Sequence, residues 1–462
     1  MSLLRTIAAS ADAETRPILK RVLANAGMLL GGRTVNALLG LGYLALSARA
    51  LGVSQFGVLV LIHAFAQFLG DTVKFQSWQT ILHYGARPLA EGRVRDFQRV
   101  LRFTLMLDLS SSVVGVAIGV GGAVLFATRL GWTAQLAPAA ALYALSVAFM
   151  VAAAPIGLLR LFDRFDIMAR QAALISMVRL AGCAVAYVLH APLEVFLAVW
   201  AAGTLAAFAY LAWGAWRELH ARDLLEAFGW RGPLTEGMPG AWRFAWATNF
   251  NATLDVAFTH VVTLVVGALL GPAQAALWRV GRQVADALAK PAKLLIPALY
   301  PELARLHAEG GRAQMTRLAV QVGLLGGGVG LVLLAVSAFG GAPLLALVMG
   351  KGFAGAADVM TWQVGAAVIG ILALPLEPML VSLGHAGSAL RVRLVVSGAY
   401  LVALTPIVER FGAVGAGASL VAASAILALG MLWVLVRHMQ VAPPPEANTA
   451  CDSAPGRVKG GS

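Results

Sequence analysis

The sequence predicts an all-α polytopic membrane protein whose twelve transmembrane helices form two six-helix bundles. Three observations predict this fold. Only 12% of the 462 residues are charged, which is about half the usual share of about 25% in soluble domains. Apolar runs of roughly 20 residues, the length that crosses a bilayer, recur along the whole chain. A weak internal repeat divides these runs into two sets of six.

Charged or Gly/Pro-containing breaks separate the candidate spans. The twelve spans lie at 24–48, 55–82, 103–128, 134–159, 172–190, 194–216, 243–270, 274–300, 317–340, 355–382, 393–409 and 413–436. The apolar segment 342–353 is too short to cross and is expected to be re-entrant or interfacial. The predicted parts are a cytoplasmic N-terminal segment (1–23), an N-terminal bundle (24–216), a cytoplasmic linker (217–242), a C-terminal bundle (243–437) and a disordered cytoplasmic tail (438–462).

The distribution of lysine and arginine predicts the orientation. Of the 35 such residues, 24 lie in the two termini and in alternate loops, and four lie in the other loops. The positive-inside rule places the first set, and with it both termini, in the cytoplasm. Topology thus explains most of the net charge of +13, and nucleic acid is not predicted as a partner.

A shift of 219 residues aligns the beginnings of the two halves without a gap. Leu51, Gly52 and Gln55 then match Leu270, Gly271 and Gln274. Polar positions match as well, pairing His63, Gln67, Asp71 and Lys74 with Arg282, Asp286, Lys290 and Lys293, and Asn36 with Asp255. Because each half has six spans, the repeats are parallel and related by a pseudo-twofold axis along the membrane normal.

Three of the predicted spans carry one polar stripe each at helical spacing. The stripes are Arg33, Asn36, Gly40, Tyr43 and Ser47; His63, Gln67, Asp71, Lys74 and Trp78; and Arg279, Arg282, Asp286, Lys290 and Lys293. A charge facing lipid at the bilayer centre costs about 2.5–3.5 kcal/mol, so the stripes are expected to face an interior. The spans hold seven basic and five acidic residues, which predicts a hydrated, net-positive cavity for an anionic substrate.

The candidate substrate-binding residues are Arg33, Lys74, Arg279, Arg282, Lys290 and Lys293, and the candidates for coupling to H⁺ or Na⁺ are Asp71, Asp255, Asp286 and Glu377. No catalytic residue, metal site or cofactor is predicted. Other interpretations stay open at this point. Asp71 and Lys74 could neutralise each other, Arg279 and Lys293 could reach opposite interfaces, and Arg179 is expected to anchor its helix near the cytoplasmic face. His63 is expected to be a hydrogen-bonded interior histidine.

Three stretches resemble a known family. They are "ALSARALGVSQFGVLVL" (45–61), "PIGLLRLFDRFDIMARQA" (155–172) and "GAVGAGASL" (412–420). They are similar to the first turn, the fourth-to-fifth connection and the opening of the last span of Wzx-type oligosaccharide flippases. That family belongs to the multidrug/oligosaccharidyl-lipid/polysaccharide (MOP) superfamily.

The resemblance implies a V-shaped pair of bundles in the bacterial inner membrane. It implies a flippase that moves undecaprenyl-diphosphate-linked oligosaccharides by alternating access, for O-antigen, capsule or exopolysaccharide synthesis. Membrane lipids, a polysaccharide polymerase and a chain-length regulator are the implied partners, and the implied state is a monomer.

Two other functions are alternatives. One is a cation-coupled multidrug exporter of the same superfamily, which is expected to line its cavity with acids rather than bases. The other is a membrane-embedded enzyme such as a polysaccharide polymerase, which is expected to carry a large periplasmic loop. The short external loops argue against that enzyme, and the protein is expected not to be an enzyme.

Overall fold

The structure is a computed structural model. It describes the backbone of residues 2–125, 127–128, 131–293, 303, 305–306 and 312–440, and it describes side chains within these ranges except at 2–35, 250–259, 288–293, 312, 386 and 439–440. All regular structure in this part of the chain is helical. The predicted all-α class is therefore confirmed for the described residues.

The first half of the chain contains nine α-helices. They are α1 (Ser2–Val73), α2 (Ser77–Thr80), α3 (Ala86–Ala90), α4 (Val94–Leu125), α5 (Ala137–Ala144), α6 (Val147–Val151), α7 (Ala154–Leu161), α8 (Phe165–Val188) and α9 (Leu193–His220). A π-helical turn, Ile81–Gly85, joins α2 to α3, and a 3₁₀ turn, Ala134–Leu136, precedes α5.

Six α-helices are described in the second half. They are α10 (Ala241–Leu270), α11 (Pro272–Lys293), α12 (Arg312–Met349), α13 (Ala356–Leu372), α14 (Leu376–Ser382) and α15 (Ala386–Gln440). A 3₁₀ turn, Lys351–Phe353, lies between α12 and α13.

Eight helical segments in the described residues are long and apolar enough to cross a membrane. Two of them, Asn36–Ala90 and Gly387–His438, have 55 and 52 residues, or roughly 80 Å at 1.5 Å per residue. The hydrocarbon core is only about 30 Å thick. Gly52 in α1 and Gly412 in α15 have non-helical backbone angles, so each segment is divided there into two crossing parts, and Asn36–Ala90 is interrupted again after Val73.

Backbone breaks recur at the repeat spacing. Gly52 (φ 68°, ψ 176°) and Gly271 (φ 86°, ψ 172°) are 219 residues apart and share a conformation that is essentially restricted to glycine. Gly131 and Gly350, again 219 apart, both have positive φ, at 92° and 109°. The two halves thus turn at matching positions, in agreement with the predicted repeat.

Two predicted spans are interrupted by breaks in the helix, and one segment that was predicted to stand apart belongs to a longer helix. The span predicted at 134–159 is divided into α5, α6 and α7, and the span predicted at 355–382 is divided into α13 and α14. The segment 342–353 is not a re-entrant piece, because α12 continues through Pro343 to Met349. The short length of the segment was the misleading signal, because the helix before it continues through Pro343, and proline is tolerated inside a membrane helix when neighbouring groups satisfy the freed carbonyl.

The second predicted span also breaks where its charged residues begin. Helix α1 ends at Val73, Lys74–Gln76 are non-helical, and α2 begins at Ser77. The polar stripe is therefore not one continuous helix face as predicted, and Lys74 lies in an irregular segment. Irregular backbone at membrane depth occurs where it is buried in protein or borders a water-filled cavity.

The largest apolar core joins residues from both halves. Phe56 and Leu59 of α1 share one buried cluster with Met360 and Val364 of α13. The rings of Phe56 and Phe353 meet edge to face, with centroids 5.7 Å apart. Packing in the part of α1 just after Gly52 thus holds the halves together.

Candidate functional site

The candidate site begins with a cavity inside the first half of the chain. It has a volume of about 250 Å³ and lies between α1, the segment around α6, α8 and α9. Its polar lining consists of Gln67, Asp71, Lys74, Gln171, Arg179 and Thr204. Two of the predicted site residues, Asp71 and Lys74, therefore border the same cavity.

The second half contacts this cavity through α10. His260 Nε2 lies 3.2 Å from Asp71 Oδ2, and Asn249 Nδ2 donates a 2.7 Å hydrogen bond to the Lys74 carbonyl. Among the described residues the ion-pair partner of Asp71 is His260, and no ion pair joins Asp71 to Lys74. The irregular segment is thus fixed by a residue from the other half.

Helix α11 carries a second group of charged residues. Arg282 pairs with Asp286 one turn further along, with Nε 3.3 Å from the carboxylate. Arg279 lies one turn before Arg282, and its charge interacts with those of both residues. The helix faces α1, where the position that a Gly40 Cβ would occupy lies 3.6 Å from Gln283 Nε2.

Arg179 on α8 is the functional candidate that sequence reasoning missed. It was expected to anchor its helix near an interface, but it is only 5% exposed. Its Nη2 donates to the Trp200 carbonyl at 3.2 Å and to Thr204 Oγ1 at 3.1 Å. The guanidinium also lies over the rings of Tyr43 and Trp200, at 5.7 and 5.2 Å from their centroids. The only signal for it was an arginine within an apolar run.

Charges from the two halves meet at this point. Arg279 from α11 interacts electrostatically with Arg179 from α8, and His63 from α1 interacts with both. His63 is 3% exposed, and its Nδ1 lies 2.6 Å from the Tyr143 hydroxyl, which agrees with the predicted hydrogen-bonded interior histidine. The arrangement is a cluster of cations, of which Arg179 is buried and Lys74, Arg279 and Arg282 are half-buried. Their described acidic neighbours are Asp71, Asp108 and Asp286.

The other predicted residues lie elsewhere or outside the described side chains. Glu377 is half exposed on α14 and lies 4.0 Å from Arg393. Arg33, Asp255, Lys290 and Lys293 fall outside the described side chains. A groove of about 780 Å³ on α15 is almost wholly apolar and contains no predicted site residue, so it is unsuited to a charged group.

The halves also meet at the turns near Gly52 and Gly271. Arg49 donates hydrogen bonds to the carbonyls of Val348, at 3.0 Å, and Leu347 at the end of α12. A Cβ on Gly57 would lie 1.9 Å from the Pro272 carbonyl oxygen. One end of the molecule is thus closed by backbone contact between the halves.

Comparison with known proteins identifies the family. No protein-family model matches the sequence. The inner membrane protein YghQ of Escherichia coli K12 is 33% identical over 344 residues, which cover 74% of this chain and 96% of that protein. This chain belongs to the YghQ family. The similarity is long enough to extend through both halves of the chain.

Solved structures show the fold of this YghQ-family chain. It superposes on an inward-facing multidrug-resistance MATE transporter of the MOP superfamily with a TM-score of 0.65 and 15% identity, covering 87% of this chain and 94% of that one. It superposes on the lipid II flippase MurJ with a TM-score of 0.69 and 10% identity, covering 88% and 87%. A MOP superfamily transporter from Pyrococcus furiosus gives 0.56 and 15%, covering 90% and 95%. The chain is thus a multi-pass membrane protein with the fold of MOP superfamily transporters.

Proposed function

We propose that this YghQ-family chain is an inner-membrane flippase for undecaprenyl-diphosphate-linked oligosaccharides in polysaccharide synthesis. Its substrate binds between two six-helix bundles that rock to expose the site to each side in turn. The observation that carries the proposal is that Arg179, which is buried, and Arg279, which is half-buried, come from opposite halves and lie close enough for their charges to interact.

The sign of the interior charge favours this substrate over a cationic drug. Among the described residues of this region the four basic side chains outnumber the three acidic ones; they are Lys74, Arg179, Arg279 and Arg282 against Asp71, Asp108 and Asp286. A diphosphate carries up to three negative charges, and arginine binds phosphate oxygens through paired hydrogen bonds. A multidrug exporter has the same fold but needs the opposite charge balance.

The breaks in the helices support alternating access. Paired glycines at 52 and 271, and at 131 and 350, place hinge-like turns at equivalent points of both halves, and hinges of this kind absorb the backbone change in domain closure. Asp71, held by His260, and Asp286 are the described interior acids available for coupling to H⁺ or Na⁺. We propose cytoplasmic termini, a monomer, and a polymerase and chain-length regulator as partners.

Loss of the α11 cations tests the proposal in cells. With the native copy deleted, a chain carrying Arg279→Gln and Arg282→Gln should reach the membrane but restore at most about a tenth of the surface polysaccharide. We expect this because each charge-assisted hydrogen bond lost weakens binding by about 1.5–3 kcal/mol. Immunoblotting of membranes and quantification of surface polysaccharide measure the two quantities.

Arg317→Gln is the matched control, because Arg317 is an exposed arginine on α12. It should restore normal polysaccharide. Full restoration by the double variant, at wild-type membrane levels, would contradict the proposed role of these cations.

A further inference from the structure

The cavity inside the first half contains a buried cation without an acidic partner. Arg179 lines the cavity and is 5% exposed. Within the described part of the chain no carboxylate lies within ion-pair distance of it, and its Nε has no hydrogen-bond partner. A buried charge without an acidic partner is unfavourable. Two neutral acceptors and two aromatic rings contact Arg179, and an anion in the cavity would add the missing opposite charge.

We infer that this cavity is a binding site for a phosphate group, with Arg179 and Lys74 as its two cations. The inference rests on the proposed function and assigns the substrate's phosphate to a pocket within one half. Arg179 offers a planar fork that matches two phosphate oxygens, and Lys74 offers a mobile point charge from the irregular segment.

The neutral groups of the cavity suit the remaining oxygens. Gln67 and Gln171 present amide donors around the same space, whereas the Thr204 hydroxyl donates to the Trp200 carbonyl and accepts from Arg179. Asp71 is the one acid in the lining, and it is engaged by His260. The polar part of the lining therefore favours an anion over a cationic ligand, and the rest of the lining is apolar, including Phe149, Phe208 and Leu211.

The volume of the cavity limits what it can hold. A cavity of about 250 Å³ has room for several water molecules and for a phosphate or diphosphate group. The sugars of a lipid-linked oligosaccharide would lie outside it, in the space between the halves.

Neighbouring residues fix the guanidinium in place. Gly203 on α9 leaves room for the arginine, since a Cβ there would lie 2.7 Å from Arg179 Cγ and 3.0 Å from Nε. Trp200 and Tyr43 present their ring faces to the charge. Gly203→Ala should therefore displace Arg179 without removing any charge.

Binding to the purified full-length protein in detergent tests the site. Isothermal titration calorimetry would use inorganic diphosphate, geranylgeranyl diphosphate and, as the uncharged control, geranylgeraniol. We expect both diphosphates to bind and the alcohol not to bind. Arg179→Gln should weaken diphosphate binding at least tenfold, while Arg179→Lys and Gly203→Ala should weaken it less and Arg317→Gln should not change it.

The outcomes separate the assignment of the cavity as a phosphate site from the proposed flippase function. If the wild type binds diphosphate and Arg179→Gln binds it equally well, the cavity is not the site, and the proposed function stands on the α11 cations alone. If the wild type binds neither diphosphate, both the site and the proposed function are wrong. If inorganic diphosphate binds and geranylgeranyl diphosphate does not, the ligand is a free diphosphate rather than a lipid headgroup.

A second variant covers the case in which Arg179→Gln does not fold. Lys74→Gln keeps the buried arginine and removes only the charge of the irregular segment. It should weaken diphosphate binding severalfold and leave the folding of the protein unchanged. Unchanged binding by a folded Lys74→Gln protein would overturn the assignment of Lys74.

Discussion

Replacing Gly57 with alanine should prevent the two halves from closing at the end of the molecule where α11 begins. The added methyl carbon would lie 1.9 Å from the carbonyl oxygen of Pro272, with the backbone of the same residue as its other near neighbours. Backbone cannot rotate away as a flexible side chain can. Overpacking of this kind costs about 1–3 kcal/mol, so we expect a large shift away from the closed arrangement.

Accessibility of a nearby cysteine measures this shift. Val53 packs against Gly352 at the same contact, so a cysteine at position 53 should react several times faster with a membrane-impermeant maleimide when Gly57→Ala is present. Of the two native cysteines, Cys183 is buried and should not react, and Cys451 would be replaced by serine in every protein that is labelled.

Gly121→Ala is the matched control for this effect. It adds the same methyl group to α4, where a Cβ would have no heavy atom within 4 Å. It should leave the labelling rate unchanged. Equal rates in the Gly57 and Gly121 variants would show that the contact at Pro272 does not hold the halves together.

Replacing Asp108 with alanine should cause the largest loss of stability. The carboxylate is 5% exposed and accepts hydrogen bonds from Ser77 Oγ at 2.6 Å and from the backbone N–H groups of Ala153 and Ala154, each at 2.7 Å. It thereby connects α4 to the beginnings of α2 and α7. Its removal leaves three buried donors without an acceptor, at about 1–3 kcal/mol each.

Melting of the purified variants in detergent measures the effect. Ser110→Ala is the control, because Ser110 lies two residues away on the exposed side of α4. Asp108→Ala should melt well below Ser110→Ala, and Asp108→Asn should lie between them because it retains a carbonyl acceptor. Equal melting temperatures for the two alanine variants would mean that Asp108 does not support these breaks.

The all-helical membrane class was predictable from the sequence because long apolar segments decide what enters a bilayer. The twelve separate spans stay a prediction, since the described residues form eight long apolar segments. The glycines at 52 and 271 could also be recognised, since their shared spacing reveals the repeat. The break at Lys74–Gln76 could not be predicted from local sequence. It depends on Asn249 and on Asp108, whose contacts lie far away in the chain.

The candidate site was only partly predictable for a similar reason. Helical spacing placed Asp71 and Lys74 on one side of the chain, and both border the cavity. Arg179 stood alone in its span, so no stripe marked it, and its environment is built by Trp200 and Thr204 of the next helix. His260 was missed because a single histidine in an apolar run has no distinguishing pattern.

Transport in vesicles tests the central claim, that interior cations from both halves carry an anionic lipid headgroup across the membrane. The purified protein would be reconstituted into liposomes that contain a fluorescent polyprenyl-diphosphate sugar, and the outer leaflet would be quenched with an impermeant reductant. We predict that wild-type protein exposes the inner-leaflet lipid to quenching and that the variant carrying Arg279→Gln and Arg282→Gln does not. Vesicles that leave this lipid in place but accumulate a cationic dye in response to an ion gradient would contradict the account.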